Sequence, residues 1–284
     1  MNFKNYFVLY FFIFSLFISS CVNVDFYNSY DYIDSTSIIQ SLEAVEVSSV
    51  TDGDTFNIYS GEATVKIRII GIDTPETYSD SGSSKPVGEY GEDATSYLKD
   101  FVSKYTIYIK KIIENGKIMR DSHERILAYV FGRTNDNRFI FYESSILKEG
   151  LARPLIYFDN DDSYLTPRIV EAYNYAFENK KGIFSKWNIA PVLNNSNNFQ
   201  NYIGKIVFLN GTVQSVGHDN SEYYINSSWF TIKIRDPEYY YFFKNYNLYN
   251  LKRKTVKFYG ELWEDEDSGK PMILLRSPNE IVVN

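Results

Sequence analysis

A chain of 284 residues has room for one large or two small domains, and its hydrophobic content of 44% is ordinary for a soluble protein. The formal net charge of −7 argues against a broad electrostatic grip on nucleic acid, so any such activity must depend on a local basic site or on bound cations. Aromatic residues make up 18% of the chain, which predicts aromatic packing throughout.

The N-terminal segment has the pattern of a targeting sequence. Lys4 precedes an apolar run, Phe7–Ile18, that has the length of a signal-peptide core and is short for a bilayer span. The following Ser19-Ser20-Cys21 resembles a bacterial lipobox, so residues 1–20 are predicted to be a signal peptide and Cys21 to carry lipid and anchor the chain to the cell envelope. Cys21 is the only cysteine, which excludes an internal disulfide. Plain secretion after cleavage near Ser20 is the alternative.

Residues 21–43 are polar and show little periodicity, which predicts a tether between membrane and first domain. The valines of Glu43–Val50 then predict a first strand. In the next stretch, apolar residues alternate with polar ones over Thr64–Ile69, the period of a half-buried strand. Ser60-Gly61-Glu62 supplies a turn before it, so Asp54–Ile69 is predicted to be a β-hairpin.

Carboxylates lie at both ends of this predicted hairpin. Folding it brings Asp73 and Glu76 to the level of Asp54. Carboxylates placed together repel one another, so either one is protonated or a cation lies between them. Arg68, in the strand leading to Asp73, carries a guanidinium fork that suits a phosphate. Taken singly, these Asp-Gly and Asp-Thr-Pro sequences are ordinary turn formers.

Downstream of the hairpin the pattern alternates between helices and strands. Residues 75–91 form a Ser-, Gly- and Pro-rich loop, either a mobile surface loop or a lid over substrate. Helical spacing of apolar residues predicts helices, and alternation predicts strands. The predicted helices are Gly91–Ser103, Glu143–Gly150 and Pro167–Lys180, and the predicted strands are Thr106–Ile113, Arg125–Gly132 and Arg138–Phe141.

The C-terminal third is predicted to be a second, small all-β domain. An Asn- and Ser-rich segment, 192–201, has the composition of a linker, and clean alternation follows it in residues 203–215, 229–235 and 256–263. The predicted organisation is therefore a first domain at 44–191, a linker at 192–201 and an OB-like domain at 202–284. The aromatic run Tyr239–Phe243 is either core or a stacking platform for single strands, and the core interpretation is favoured.

In combination, these motifs resemble the staphylococcal nuclease family. Its signature is D-G-D-T, an arginine in the following strand, and D-T-P-E. The resemblance covers roughly half the chain in the right order. The motifs that carry it are Asp52-Gly53-Asp54-Thr55, Arg68, Asp73-Thr74-Pro75-Glu76, Glu89-Tyr90-Gly91, Arg125, Gly150-Leu151-Ala152-Arg153 and Lys180-Lys181-Gly182-Ile183-Phe184.

The resemblance implies a fold, a cofactor and a set of roles. The fold would be α+β and mainly β, an OB-fold five-stranded barrel with packed helices. Ca²⁺ would be the cofactor, and the metal ligands would be the carboxylates of Asp54 and Asp73 and the carbonyl of Thr74. Glu76 would activate water, while Arg68 and Arg125 would bind and neutralise the phosphate. An all-oxygen ligand set selects a hard cation, although ligand type alone does not separate calcium from magnesium.

Three further residues are candidates for substrate binding. Lys85 offers a charge to phosphate, although an exposed lysine is usually only solvated. His123 stands near the position where family members often carry a tyrosine, and is either a stacking group or an exposed loop residue. Tyr157 lies near the position of the family's base-stacking tyrosines.

Two classes of function compete on these grounds. The first is an envelope-anchored or secreted calcium-dependent nuclease that hydrolyses DNA and RNA with little sequence preference and leaves 3′-phosphates, as the resemblance implies. The second is a non-catalytic OB-type module or adhesin that binds nucleic acid or protein. An intact set of Asp54, Arg68, Asp73, Glu76 and Arg125 favours the nuclease, and no protein partner is evident from the sequence.

Overall fold

A computed structural model of the chain describes residues 32–78 and 85–284. The predicted signal peptide, Cys21 and the first part of the predicted tether lie outside the described residues, and so does part of the loop after Glu76. No helix within these two ranges is long and apolar enough to cross a membrane. The described chain is a mixed α+β structure built mostly of strands.

The first part of the chain, up to residue 191, contains twelve of the described strands and four helices. The strands are β1 Tyr32–Ile33, β2 Glu43–Val45, β3 Val47–Val50, β4 Thr55–Ser60, β5 Ala63–Ile69, β6 Gly71–Asp73, β7 Thr106–Lys111, β8 Ile113–Glu114, β9 Lys117–Ile118, β10 Ile126–Arg133, β11 Phe139–Phe141 and β12 Arg153–Leu155. The helices are α1 Thr36–Gln40, α2 Gly91–Lys104, α3 Tyr142–Lys148 and α4 Thr166–Glu178, and a 3-10 turn, Gly182–Lys186, follows α4.

Eight of these strands form one sheet around the first hydrophobic core. Its path is β1-β11-β10-β5-β4-β3, with β7 pairing both β10 and β2. The β4–β5 hairpin is antiparallel, as predicted, and β10 lies parallel to β5. Phe56 and Ile67 are completely buried between this sheet and the helices, and so is Leu98 of α2. The hairpin that carries the acidic motifs is therefore central to the sheet.

The segment predicted to be a tether is structured where it is described. β1 pairs with β11, and α1 buries Ile38 in the first core. Residues 32–43 therefore pack against the first part of the chain where they are described, whereas the division into tether and first domain remains a prediction. The segment contains the two-residue strand β1, the five-residue helix α1 and the first residue of β2. None of these is long enough to show a period in the sequence.

The second part of the chain carries nine strands and one helix among its described residues. The strands are β13 Val192–Leu193, β14 Ile206–Thr212, β15 Ser215–Asp219, β16 Glu222–Asn226, β17 Thr231–Arg235, β18 Thr255–Glu261, β19 Trp263–Glu264, β20 Pro271–Leu274 and β21 Ile281–Val283, and the helix is α5 Asp236–Phe242. They form two sheets, β13-β14-β18-β21 and β15-β16-β17-β20-β19. Because β13 pairs with β14, the predicted linker is part of a sheet at its start. The OB-like assignment of this part remains a prediction.

Strand β14 separates two hydrophobic cores. Ile206 and Phe208 point into the first core, whereas Val207 and Leu209 point into a second core formed by residues of the second part. This alternation is the period of two that a strand imposes on its side chains, here with both faces apolar. The two parts therefore pack together through a shared sheet face, although the predicted domain boundary itself remains a prediction.

Candidate active site

The open end of the β4–β5 hairpin places Asp54 beside Arg68. Thr55 lies opposite Arg68 in the ladder, and the Ile69 amide donates to the Asp54 carbonyl at 2.8 Å. Nη1 of Arg68 lies 3.0 Å from Oδ1 of Asp54. Both side chains are buried, so this charge pair is shielded from water and fixes the hairpin end in one arrangement.

Arg68 also reaches the next strand. It donates from Nη2 to the Ile72 carbonyl at 3.1 Å, and the same nitrogen lies 3.6 Å from Oδ1 of Asp73. β6 is held in place by pairing with β12, where Asp73 is opposite Arg153. One guanidinium thus bridges Asp54 and Asp73, the two carboxylates that the resemblance assigns to the metal.

The turn around Asp54 is packed tightly against its neighbours. The Thr74 amide donates to Oδ2 of Asp54 at 2.9 Å, and the Thr55 hydroxyl donates to Oδ1 at 3.0 Å. Any side chain at position 53 would place its Cβ 2.7 Å from the Cβ of Ala94 in α2, which is a steric clash. Glycine has no Cβ and fits there. The D-G-D-T sequence therefore serves the geometry of this site as well as the turn.

Lys85 lies between two of the predicted site carboxylates. Its Nζ is 2.5 Å from Oδ1 of Asp73 and 3.0 Å from Oε1 of Glu76. Burial alone would raise the pKa of Asp73, but the ammonium of Lys85 and the guanidiniums of Arg68 and Arg276 lower it to about 2. Asp73 is therefore ionised at neutral pH, and its charge is met by cationic side chains.

Arg125 joins the site through Thr55. Its Nη1 donates to Oγ1 of Thr55 at 3.4 Å, and its Nε lies 2.6 Å from Oδ2 of Asp121. Burial alone would raise the pKa of Asp121, but the hydrogen bonds from Arg125 outweigh it and hold this pKa below its ordinary value. The anion that orients Arg125 is thus Asp121.

The remaining predicted substrate-binding residues lie around the cluster. His123 is exposed, and its backbone amide donates to Asp121. Tyr157 is 45% exposed and lies 4.3 Å beneath the guanidinium of Arg235. Of the residues named from sequence, the structure brings together Asp54, Arg68, Asp73, Thr74, Glu76, Lys85 and Arg125.

The second part of the chain also reaches this site. Nη2 of Arg276, which is 2% exposed, lies 3.9 Å from Oδ2 of Asp73. Glu261 and Trp263 line the same cleft as Glu76, and Glu261 forms a buried ion pair with Arg153 at 2.9 Å. These contacts are long-range in sequence and have no motif to mark them, so sequence reasoning missed them.

The donor chemistry of the cluster suits a hard cation. Burial, and after it the charge of Asp54, raises the pKa of Asp52 to about 7. No group of three acidic, histidine or cysteine side chains in the described part of the chain has metal-binding geometry. Between Asp73 and Glu76 it is the Lys85 ammonium that supplies the positive charge, so a metal ion would be held there only after this side chain moves.

Fold and site together define a class of protein: a β-sheet domain in which a central hairpin presents buried carboxylates beside arginines. The sequence model described as "Staphylococcal nuclease homologue" matches residues 66–186. That range includes Arg68, Asp73, Glu76 and Arg125, while Asp54 precedes it.

Individual relatives agree with this match. The chain is 33% identical over 144 residues to a thermonuclease of Staphylococcus hyicus, a match that covers 50% of the chain and 76% of the relative. It is 28% identical over 187 residues to an uncharacterized protein of Methanocaldococcus jannaschii, covering 61% of the chain and 86% of the relative. Endonuclease YncB of Bacillus subtilis is 32% identical over 127 residues, covering 44% of the chain and 54% of the relative. The chain belongs to the staphylococcal nuclease family, whose fold is of the OB type.

Proposed function

We propose that this protein is a calcium-dependent phosphodiesterase that hydrolyses DNA and RNA with little sequence preference, leaving 3′-phosphates. The observation that carries the proposal is the bridge of Arg68 between Asp54 and Asp73, with Glu76 alongside. Support comes also from the nuclease relatives named above. Lipid attachment at Cys21, which would hold the enzyme at the cell envelope, is part of the proposal.

Each charged group has a task in this hydrolysis. Asp54, Asp73 and the Thr74 carbonyl would hold Ca²⁺, which neutralises charge on the phosphate when bound. Glu76 would take a proton from the attacking water. Arg68 and Arg125 would bind the phosphate oxygens, and their fixed guanidiniums stabilise the negative charge that develops there.

A general base typically accelerates a reaction by about 10²–10⁴-fold. Enzymes as a whole accelerate their reactions by roughly 10⁶–10¹⁷-fold. The larger share therefore falls to the cation and the two guanidiniums, which act on charge in a partly buried site. Arg68 is already oriented for this task by its bonds to the Ile69 and Ile72 carbonyls at 2.6 and 3.1 Å.

Glu76→Gln tests the proposal. Gln is close to isosteric, so calcium should still stabilise the variant against unfolding, while turnover should fall by about 10²-fold or more. Glu62→Gln, in the exposed hairpin turn, is the matched control and should cleave at the original rate.

Cleavage of single-stranded DNA and RNA should be measured with calcium, with magnesium and with a chelator. The nuclease proposal requires cleavage that stops on chelation. Binding that survives the chelator, with no cleavage under any condition, would establish the non-catalytic module instead.

A further inference from the structure

Residues 85–90, which precede helix α2, belong to none of the helices or strands named above, and we call them the support segment. Their backbone nevertheless holds that of Glu76. The Gly88 amide donates to the Glu76 carbonyl at 2.9 Å, and Val87 pairs with Glu76 in an isolated parallel bridge. A segment with so few backbone pairs of its own is ordered by what packs against it. The contacts that order the support segment therefore also position Glu76.

The second part of the chain contacts the support segment through Gly204. The Glu89 amide donates to the Gly204 carbonyl at 3.1 Å, and the Gly204 amide donates to the Leu262 carbonyl at 2.8 Å. A Cβ at Gly204 would overlap the carbonyl oxygen of Val87, and the φ angle of this glycine is +79°. Both the close approach and the backbone conformation thus require glycine at this position.

Glu261, the last residue of β18, makes the second contact. A Cβ at Gly88 would lie 2.5 Å from Oε1 of Glu261 and would overlap the ring of Pro75, the residue before Glu76. The other carboxylate oxygen, Oε2, accepts hydrogen bonds at 2.9 Å from both Arg153 and Trp263. Glu261 is 4% exposed and held by two donors, so it forms a fixed wall against which the support segment packs.

We propose that the second part of the chain is a brace that holds Glu76 in position, with Gly204 and Glu261 as its positioning residues. The contacts run from these two residues to the support segment, and from there to the Glu76 carbonyl. A catalytic group works only when it is held close to the geometry of the reaction, so the brace would raise the rate without touching the substrate. The inference rests on the proposed function for the role of Glu76, and it goes further by giving the second part of the chain a share in turnover.

The test is Gly204→Ala in the full chain, assayed on single-stranded DNA in calcium, with Gly61→Ala as the matched control. Gly61 has a φ of +64° and open space around it, so its replacement brings backbone strain without a clash. In Gly204→Ala the Val87 carbonyl must move by about 1 Å, a misplacement that costs about 10²-fold in rate. Both kcat and kcat/KM should fall by about this factor, with KM unchanged, while Gly61→Ala keeps the original values.

A double-mutant cycle with Glu76→Gln separates positioning from a general loss of structure. If Gly204 acts through Glu76, adding Gly204→Ala to Glu76→Gln should lower kcat further by about twofold or less. An equal loss in both backgrounds would overturn the inference. Gly204→Asn, compared with Gly61→Asn, should repeat the result with less backbone strain, because asparagine tolerates positive φ better than alanine does.

Hydrogen exchange tests the brace in the original chain, without a variant and without activity. The amides of Gly88 and Glu89 should exchange more slowly than in an unstructured peptide by about 10-fold or more, and exchange at the peptide rate would overturn the inference. Cleavage that depends on Glu76 but is unchanged in Gly204→Ala would also overturn it and leave the nuclease standing. Protection that Gly204→Ala abolishes, in a chain that cleaves nothing, would support the brace and refute the proposed function.

Discussion

The buried ion pair between Arg153 and Glu261 offers a direct measure of how strongly the two parts of the chain depend on each other. Their side chains are 7% and 4% exposed. In the original chain, Trp263 Nε1 donates a hydrogen bond to Oε2 of Glu261 at 2.9 Å. Glu261→Gln keeps the side-chain volume and an oxygen that can accept this bond, but it leaves the charge of Arg153 without its partner. Breaking a buried pair in this way costs about 3–5 kcal/mol. Asp73 and Glu280 also act on Arg153 and compensate in part, so we expect about 3 kcal/mol.

The assay is urea unfolding followed by tryptophan fluorescence, in which Trp263 reports from the interface. A loss of about 3 kcal/mol is large against the roughly 5–15 kcal/mol that stabilises a typical protein. Glu264→Gln, at an exposed position of the short strand β19, is the control and should change stability by less than about 0.5 kcal/mol. Adding Arg153→Met to Glu261→Gln removes the unmatched charge and should recover most of the loss. A loss below about 1 kcal/mol for the single variant would refute the claim that this pair is buried at the junction.

Three other outcomes are expected. Arg276→Met should strengthen calcium binding to Asp73, measured by calorimetry, because a cation beside Oδ2 is removed, and Arg276→Lys should bring binding back toward the original affinity because the charge returns. Burial raises the pKa of Glu143 well above its ordinary value, so the folded protein keeps a proton on this carboxyl that the unfolded chain releases. The free energy of unfolding should therefore fall as the pH rises above about 4.5. Urea titrations below and above this pH should show the loss in the original chain and no such loss in Glu143→Gln. Cys21→Ser should release the protein from membranes in fractionation, and continued membrane association would indicate an uncleaved anchor.

The parts of the site that could be predicted from sequence are those set by local register. A short hairpin with a glycine turn has one pairing that buries Phe56 and Ile67, and that pairing places Arg68 opposite Thr55 and next to Asp54. The helices after the hairpin were predicted to within a few residues because they bury apolar side chains at helical spacing, such as Ala94, Leu98 and Phe101.

What could not be predicted are contacts made across large distances in sequence. Nothing near Arg276 marks it as a neighbour of Asp73, and Asp121 shows its role only once the turn before β10 brings it to Arg125. The aromatic run Tyr239–Phe243 is a mixed case. Tyr240 lies within α5 and is 58% exposed, whereas Phe243, directly after the helix, is buried in the second core at 1% exposure.

Under the proposed function, the charges of the site would couple metal binding to substrate binding. Among the described contacts, the carboxylates of Asp54, Asp73 and Glu76 are met by the cations of Arg68 and Lys85, with Arg276 at the edge. A divalent cation entering this balanced cluster creates an excess of positive charge unless Lys85 leaves or an anion arrives. A phosphodiester supplies such an anion, so cation and nucleic acid should each favour the binding of the other. Displacement of Lys85 would at the same time free the Glu76 carboxylate to accept a proton.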